Sequence, residues 1–137
     1  MIGKGSDKLG RWSWIDLRGR GSEVIRVVSA YRVSQSRVED AGPLTACHQQ
    51  YRALVKNNHP ITSPKQAFLS DLEHEMLIWM KHEKHKVIII LDANETIAEK
   101  KGFASFKESV NLVDAIELLY STPHWLTILH IYGVNVG

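Results

Sequence analysis

Lys86-Val87-Ile88-Ile89-Ile90-Leu91-Asp92-Ala93-Asn94-Glu95 decides how the rest of this chain is read. Five apolar residues in a row, four of them β-branched, predict a strand buried on both faces. The run stops abruptly at Asp92, where polar groups replace apolar ones. In open α/β sheets, ligands bind outside the carboxyl ends of such strands. Asp92 and Asn94 lie two apart, so extended geometry points them the same way. One carboxylate and one carboxamide at a strand exit can hold a water, a metal or a phosphate oxygen. The competing reading is that Asp92 begins a turn or caps the next helix, as Asp and Asn do routinely.

Upstream, Ser63-Pro64-Lys65-Gln66 predicts a capping box, with Pro at the first helical position. Phe68, Leu72, Met76 and Trp79, joined by Leu69 and Met80, then mark one long helix to about His82. Before it, Pro43 opens a second amphipathic helix over residues 43–57, with Leu44, Cys47, His48, Tyr51 and Val55 at helical spacings. Asn58-His59-Pro60 ends that helix. Residues 11–18 and 24–31 read as the arms of a hairpin, turned at Gly19-Arg20-Gly21. Trp12 and Trp14 share one face of the first arm, and Tyr31 and Arg32 stand at the exit of the second. Residues 1–10, with three glycines, predict a flexible lead-in; their spacing is not that of a nucleotide-binding loop. Downstream, residues 103–109 and 112–120 predict two short helices, and residues 126–132 are compatible with a strand. The expected class is α/β: a β-hairpin plus a buried central strand, with helices on one face.

At 137 residues, the chain fits one domain, and 44% hydrophobic with 23% charged residues is ordinary for a globular protein. No apolar run approaches the ~18 residues needed to cross a bilayer, and Met1-Ile2-Gly3-Lys4 lacks a signal-peptide core. A single cysteine, Cys47, excludes an internal disulfide and fits a reducing, intracellular compartment. Net charge is +2, yet residues 1–37 hold eight Lys or Arg against three acids. That asymmetry suits contact with a polyanion, or else a solvated edge with charged gatekeepers. His82 and His85 lie near His74, Glu75 and Glu83, but without a His-Glu-x-x-His or a cysteine pair. Cations near a helix C-terminus account for that stretch more simply. No nucleophile elbow or Walker loop is present, and adjacent Cys47 and His48 point to different sides of a helix.

Val27-Val28-Ser29-Ala30-Tyr31-Arg32 resembles the strand ending in a site tyrosine in the endonuclease/exonuclease/phosphatase, or deoxyribonuclease-I-like, superfamily. Phe68-Leu69-Ser70-Asp71-Leu72, with Trp79 later, resembles the helix before that family's Gly-Asp-Phe-Asn strand. Leu91-Asp92-Ala93-Asn94-Glu95 stands where that motif falls, and Leu112-Val113-Asp114-Ala115 resembles the segment after it. The likeness spans roughly residues 11–118, and it is nearest to divergent, retroelement-like members. It implies part of a four-layer α/β/β/α sandwich. It implies that Asp92 orients or deprotonates an attacking water, while Asn94 and Tyr31 bind the scissile phosphate. Arg18, Arg20 and Arg32 become candidate substrate contacts, nucleic acid or another phosphodiester the substrate, and Mg²⁺ the cofactor.

The departures are specific. Leu91 replaces the family's Gly and Ala93 its aromatic residue. The upstream Asn and metal-binding Glu have no counterpart before Trp12, and no Ser-Asp-His follows Asp114. Residues 11–137 therefore read as one partial domain, the middle of a longer one, without an assigned metal ligand. Groups that act as a unit lose activity together, so a non-catalytic nucleic-acid-binding remnant is the alternative expectation. A half-sandwich would also leave one sheet face bare and prone to self-association.

Overall fold

Alternation of inward and outward residues builds the sheet, and the helices of the described residues close over one side of it. The computed structural model describes residues 1–94, 100–114 and 130–134. Strands β2 (Trp12–Arg18) and β3 (Val24–Tyr31) form the expected antiparallel hairpin. Its turn closes with Gly19 N–H on the Glu23 carbonyl at 2.9 Å, and Gly21 supplies the positive φ of 63°. The chain then passes through a 3₁₀ turn (Val38–Asp40), α1 (Ala46–Lys56) and α2 (Pro64–Trp79). It returns as β4 (His85–Asp92), parallel to β3. Helix α3 (Lys100–Ser109), β5 (Leu112–Asp114) and β6 (His130–Val134) follow. With β1 (Gly3–Ser6), the order across this mixed α/β sheet is β1-β2-β3-β4-β6-β5.

Trp12, Val28, Ala30, Val87, Ile89 and Leu91 point to the helices. They meet Phe68, Leu72, Met76 and Trp79 of α2 and Phe103 and Phe106 of α3. Trp12 packs edge-on to Phe68, with ring centroids 5.8 Å apart. Each such side chain, fully buried, contributes about 1.5–3 kcal/mol. The helix expected from Phe68, Leu72, Met76 and Trp79 forms with those four residues inside.

The same face holds a buried ion pair. Arg26 grips Asp16 through two hydrogen bonds of 2.8 Å. Its guanidinium lies 3.7 Å from the Trp14 ring centre and 5.0 Å from that of Trp79. The hydrogen bonds from Arg26 hold the Asp16 carboxyl below the ordinary range, against the opposing effect of burial. Room for Trp14 comes from β1: a Cβ on Gly5 would sit 2.6 Å from its indole.

Several sequence expectations are corrected here. The lead-in expected over residues 1–10 includes β1, paired with β2 from Gly3–Asp16 to Ser6–Ser13. Its glycines serve the approach of Trp14 and Asp16 to the edge strand. Helix α1 begins at Ala46 rather than Pro43, because Thr45 is the N-cap, its hydroxyl accepting from His48 N–H at 3.4 Å. Leu44 is left outside, 85% exposed, and the buried face is Cys47, Gln50 and Leu54. Burial pushes the Cys47 thiol up. Pro64 opens α2 as expected, but Ser63 makes no side-chain capping bond. Strand β4 is buried on one face only: Ile88 is 37% exposed. Residues 112–114 form a strand rather than the start of a helix, and residues 115–120 lie outside the described residues. Of the expected 126–132 strand, 130–132 falls in β6 and 126–129 lies outside them. Asn58 and Asn111, with φ of 52° and 49°, take the left-handed position just past α1 and α3.

Candidate functional site

The parallel β3–β4 ladder ends on one specific pair, Tyr31 opposite Asp92. Residues directly opposite in adjacent strands share a face, about 4.8 Å apart along the hydrogen-bonding direction. Ala30 and Leu91, one step back, point into the helical core, so Tyr31 and Asp92 share the uncovered side. Tyr31 is 45% exposed and Asp92 is half-buried. The backbone fixes both: Tyr31 N–H donates to the Arg11 carbonyl and Arg32 N–H to the Asp92 carbonyl, each at 2.9 Å.

Asn94 does not continue that geometry. Its φ of 42° takes the chain out of extended conformation, so the two-apart rule no longer points it with Asp92. Asn94 N–H donates to Asp92 Oδ1 at 3.3 Å, an Asx turn. Its carboxamide Nδ2 donates to the Arg32 carbonyl at 2.7 Å and ties the two strand exits together. Arg32 is 4% exposed, and its Nε donates to the Lys65 carbonyl at 3.0 Å. Lys65, 2% exposed, sends its Nζ to the Ser34 carbonyl at 3.0 Å. These groups bind β3, β4 and α2 into one rim.

Arg18 and Arg20 are exposed, but at the other end of the hairpin. Arg18 pairs with Val24, seven residues before Tyr31, which at ~3.3 Å per residue is about 23 Å away. Of the basic side chains in the first 37 residues, Arg11, Arg26 and Arg32 are buried, and Arg11 and Arg26 pair with acids. The local positive field is therefore smaller than the sequence count implies.

Sequence reasoning missed the neighbours of the rim. Ser6, Ser13 and Ser29 lie side by side on β1, β2 and β3, all on the open face. With Tyr31, Arg11 and the 7–11 loop they line a shallow recess of about 260 Å³. The signal was strand parity: Ser13 and Ser29 take positions that apolar residues fill elsewhere on that face. Arg11 anchors the loop through Asp7 at 2.7 Å and reaches Asp71 of α2, also at 2.7 Å. Burial opposes its charge, but these two acids hold the guanidinium above its ordinary value. His59 Nε2 lies 2.9 Å from the other oxygen of Asp71, linking the loop after α1 to the same support.

Chemically, the rim offers a phenol hydrogen-bond donor, a carboxylate acceptor and a row of hydroxyls beside them. Among the described residues, no three His, Cys, Asp or Glu side chains come together as a metal site; Asp92 is the carboxylate at the rim that could meet a hydrated Mg²⁺. The histidine cluster near His82 and His85 likewise forms no such group. No helix of the described residues is long and apolar enough to cross a membrane. Comparison with family models, curated proteins and solved structures returns no match to this chain.

Proposed function

We propose that the Tyr31–Asp92 rim is part of a phosphodiester hydrolysis site of the nuclease kind. The supporting observation is the register that sets a tyrosine beside an aspartate at the carboxyl ends of two parallel strands, on the open face. In this reading the sheet belongs to a four-layer α/β/β/α sandwich with that face turned inward. The Asp92 carboxylate orients a water and accepts its proton as the water oxygen bonds to phosphorus and the P–O bond to the leaving alkoxide breaks. The alkoxide takes its proton from solvent, and the Tyr31 hydroxyl donates to a non-bridging phosphate oxygen. Ser29 and Ser13 then line the approach of the substrate backbone, a nucleic acid or another phosphodiester. Mg²⁺, when bound, supplies charge neutralisation at phosphate. Asp92 is the single carboxylate this rim contributes toward it, with waters and the substrate phosphate as the other oxygen ligands.

The test is hydrolysis of bis(p-nitrophenyl) phosphate and of an end-labelled abasic duplex, with and without Mg²⁺. Cleavage that falls about 100-fold or more in Asp92→Ala, and less in Tyr31→Phe, supports the proposal. Mg²⁺-supported cleavage indifferent to Asp92→Ala would sink it, as would no cleavage by the wild-type chain. A second reading is nucleic-acid binding without cleavage, consistent with Asn94 being tied to the Arg32 carbonyl rather than free for a scissile phosphate. Retention of the duplex that weakens steeply with salt, without product, selects that reading.

A further inference from the structure

The bare side of the sheet carries an inference that stands whether or not the rim is catalytic. Ile15 and Leu17 of β2, Ile25 and Val27 of β3 and Ile88 and Ile90 of β4 all occupy the face opposite the helices. They are in register: Ile15, Val27 and Ile88 stand in one row across three strands. Sheets that keep one face in water normally alternate apolar in and polar out. Here the first face of the three strands is packed on helices and the second is aliphatic as well, and among the described residues no helix covers it.

We propose that a second copy of this chain covers this face, sheet on sheet, in a two-fold dimer with β4 running antiparallel over its counterpart. Size supports a copy as the occupant. Five strands abreast, β1 to β4 and β6, spaced ~4.8 Å and about seven residues long, give a footprint on the order of 500 Å². That approaches the roughly 600 Å² per partner at the lower end of stable complexes. Paired sheets stack about 10 Å apart, a gap that interdigitating isoleucines fill.

Charge then selects the symmetry. Strand β4 carries Lys86 at its start and Asp92 at its end on this same face, six residues or about 20 Å apart. A two-fold axis lying across the strands sets each Lys86 over Asp92 of the other copy. An axis along the strands lays β1 over β6 instead and forfeits both pairs. Lys86 already meets Glu23 at 2.8 Å, but both side chains are well exposed, so the ammonium is available to a second carboxylate.

Sedimentation velocity on the full chain, from low to high micromolar concentration, tests this. The expected result is a monodisperse dimer that Ile88→Lys converts to a monomer with unchanged circular dichroism. Ile15→Lys on the neighbouring strand does the same and serves if Ile88→Lys fails to fold. Lys86→Glu and Asp92→Lys each weaken dimerisation about tenfold or more, and the double exchange restores it. A wild-type chain monomeric throughout overturns the proposal, as does a polydisperse aggregate. So does a dimer indifferent to folded Ile88→Lys and Ile15→Lys chains, or a double exchange no tighter than either single change. A dimer without cleavage removes only the nuclease reading, and cleavage by a monomer removes only this one.

Discussion

On one side of the sheet, Trp12, Val28, Ile89 and Leu91 meet Phe68, Leu72 and Met76 and are shut away from water. On the other, Ile15, Val27 and Ile88 sit one residue along the same strands and face away from the described helices. The residue types barely differ; the covering does. The covered side even holds a charged pair, because Arg26 and Asp16 satisfy each other between two tryptophan rings. The open side gathers Ser13, Ser29, Tyr31 and Asp92 at one end and carries Lys86 at the other. What separates core from candidate surface here is the position of α2 and α3, with hydrophobicity nearly constant.

The comparison breaks hardest at Phe68. Truncation to Ala leaves a cavity under Trp12, and we expect a loss of about 3–5 kcal/mol in urea-induced unfolding. A loss below about 1 kcal/mol would mean that the helical side is no better packed than the open one. Next comes Asp16→Asn, which strands the Arg26 charge indoors and costs about 3 kcal/mol. This variant also sharpens the pH behaviour. The Asp16 carboxyl is held low by Arg26, so its contribution is complete above the ordinary carboxylate range. That contribution is lost as pH falls through the depressed value, and Asp16→Asn flattens the acid limb of a stability profile. Smallest is Ile88→Thr, expected within about 0.5 kcal/mol in dilute, dissociated chain. A much larger loss under those conditions would show that Ile88 is already covered within a single copy.

Legibility followed local physics. Phe68, Leu72, Met76 and Trp79 repeat at helical spacing, and that period survives into the structure because one stripe meets one sheet face. The hairpin was readable because Gly19 and Gly21 permit its turn. Strand β1 was not, since Gly3 and Gly5 carry no pattern; their value lies in the Trp14 and Asp16 side chains beside them. In α1, apolar residues were counted as a face, and Leu44 misled because Thr45 caps the helix after it. For the rim, Asp92 and Tyr31 could each be picked out as strand exits, but their pairing depends on the β3–β4 register. The second interval misled too: Asn94 was expected beside Asp92, and a positive φ turned it toward the Arg32 carbonyl.

By itself, the order of residues determined the β2–β3 hairpin, the α2 stripe and the β4 strand, and that the β4 run ends in a carboxylate. Periodicity and abrupt polarity changes are properties of neighbouring positions, so they can be read along a line. Tertiary structure alone decided that Tyr31 lies opposite Asp92, that Arg32 is indoors and that α2 and α3 settle on the face away from Ile15, Val27 and Ile88. Register between distant strands, and the side on which helices settle, come from packing among segments about sixty residues apart, which no local pattern records.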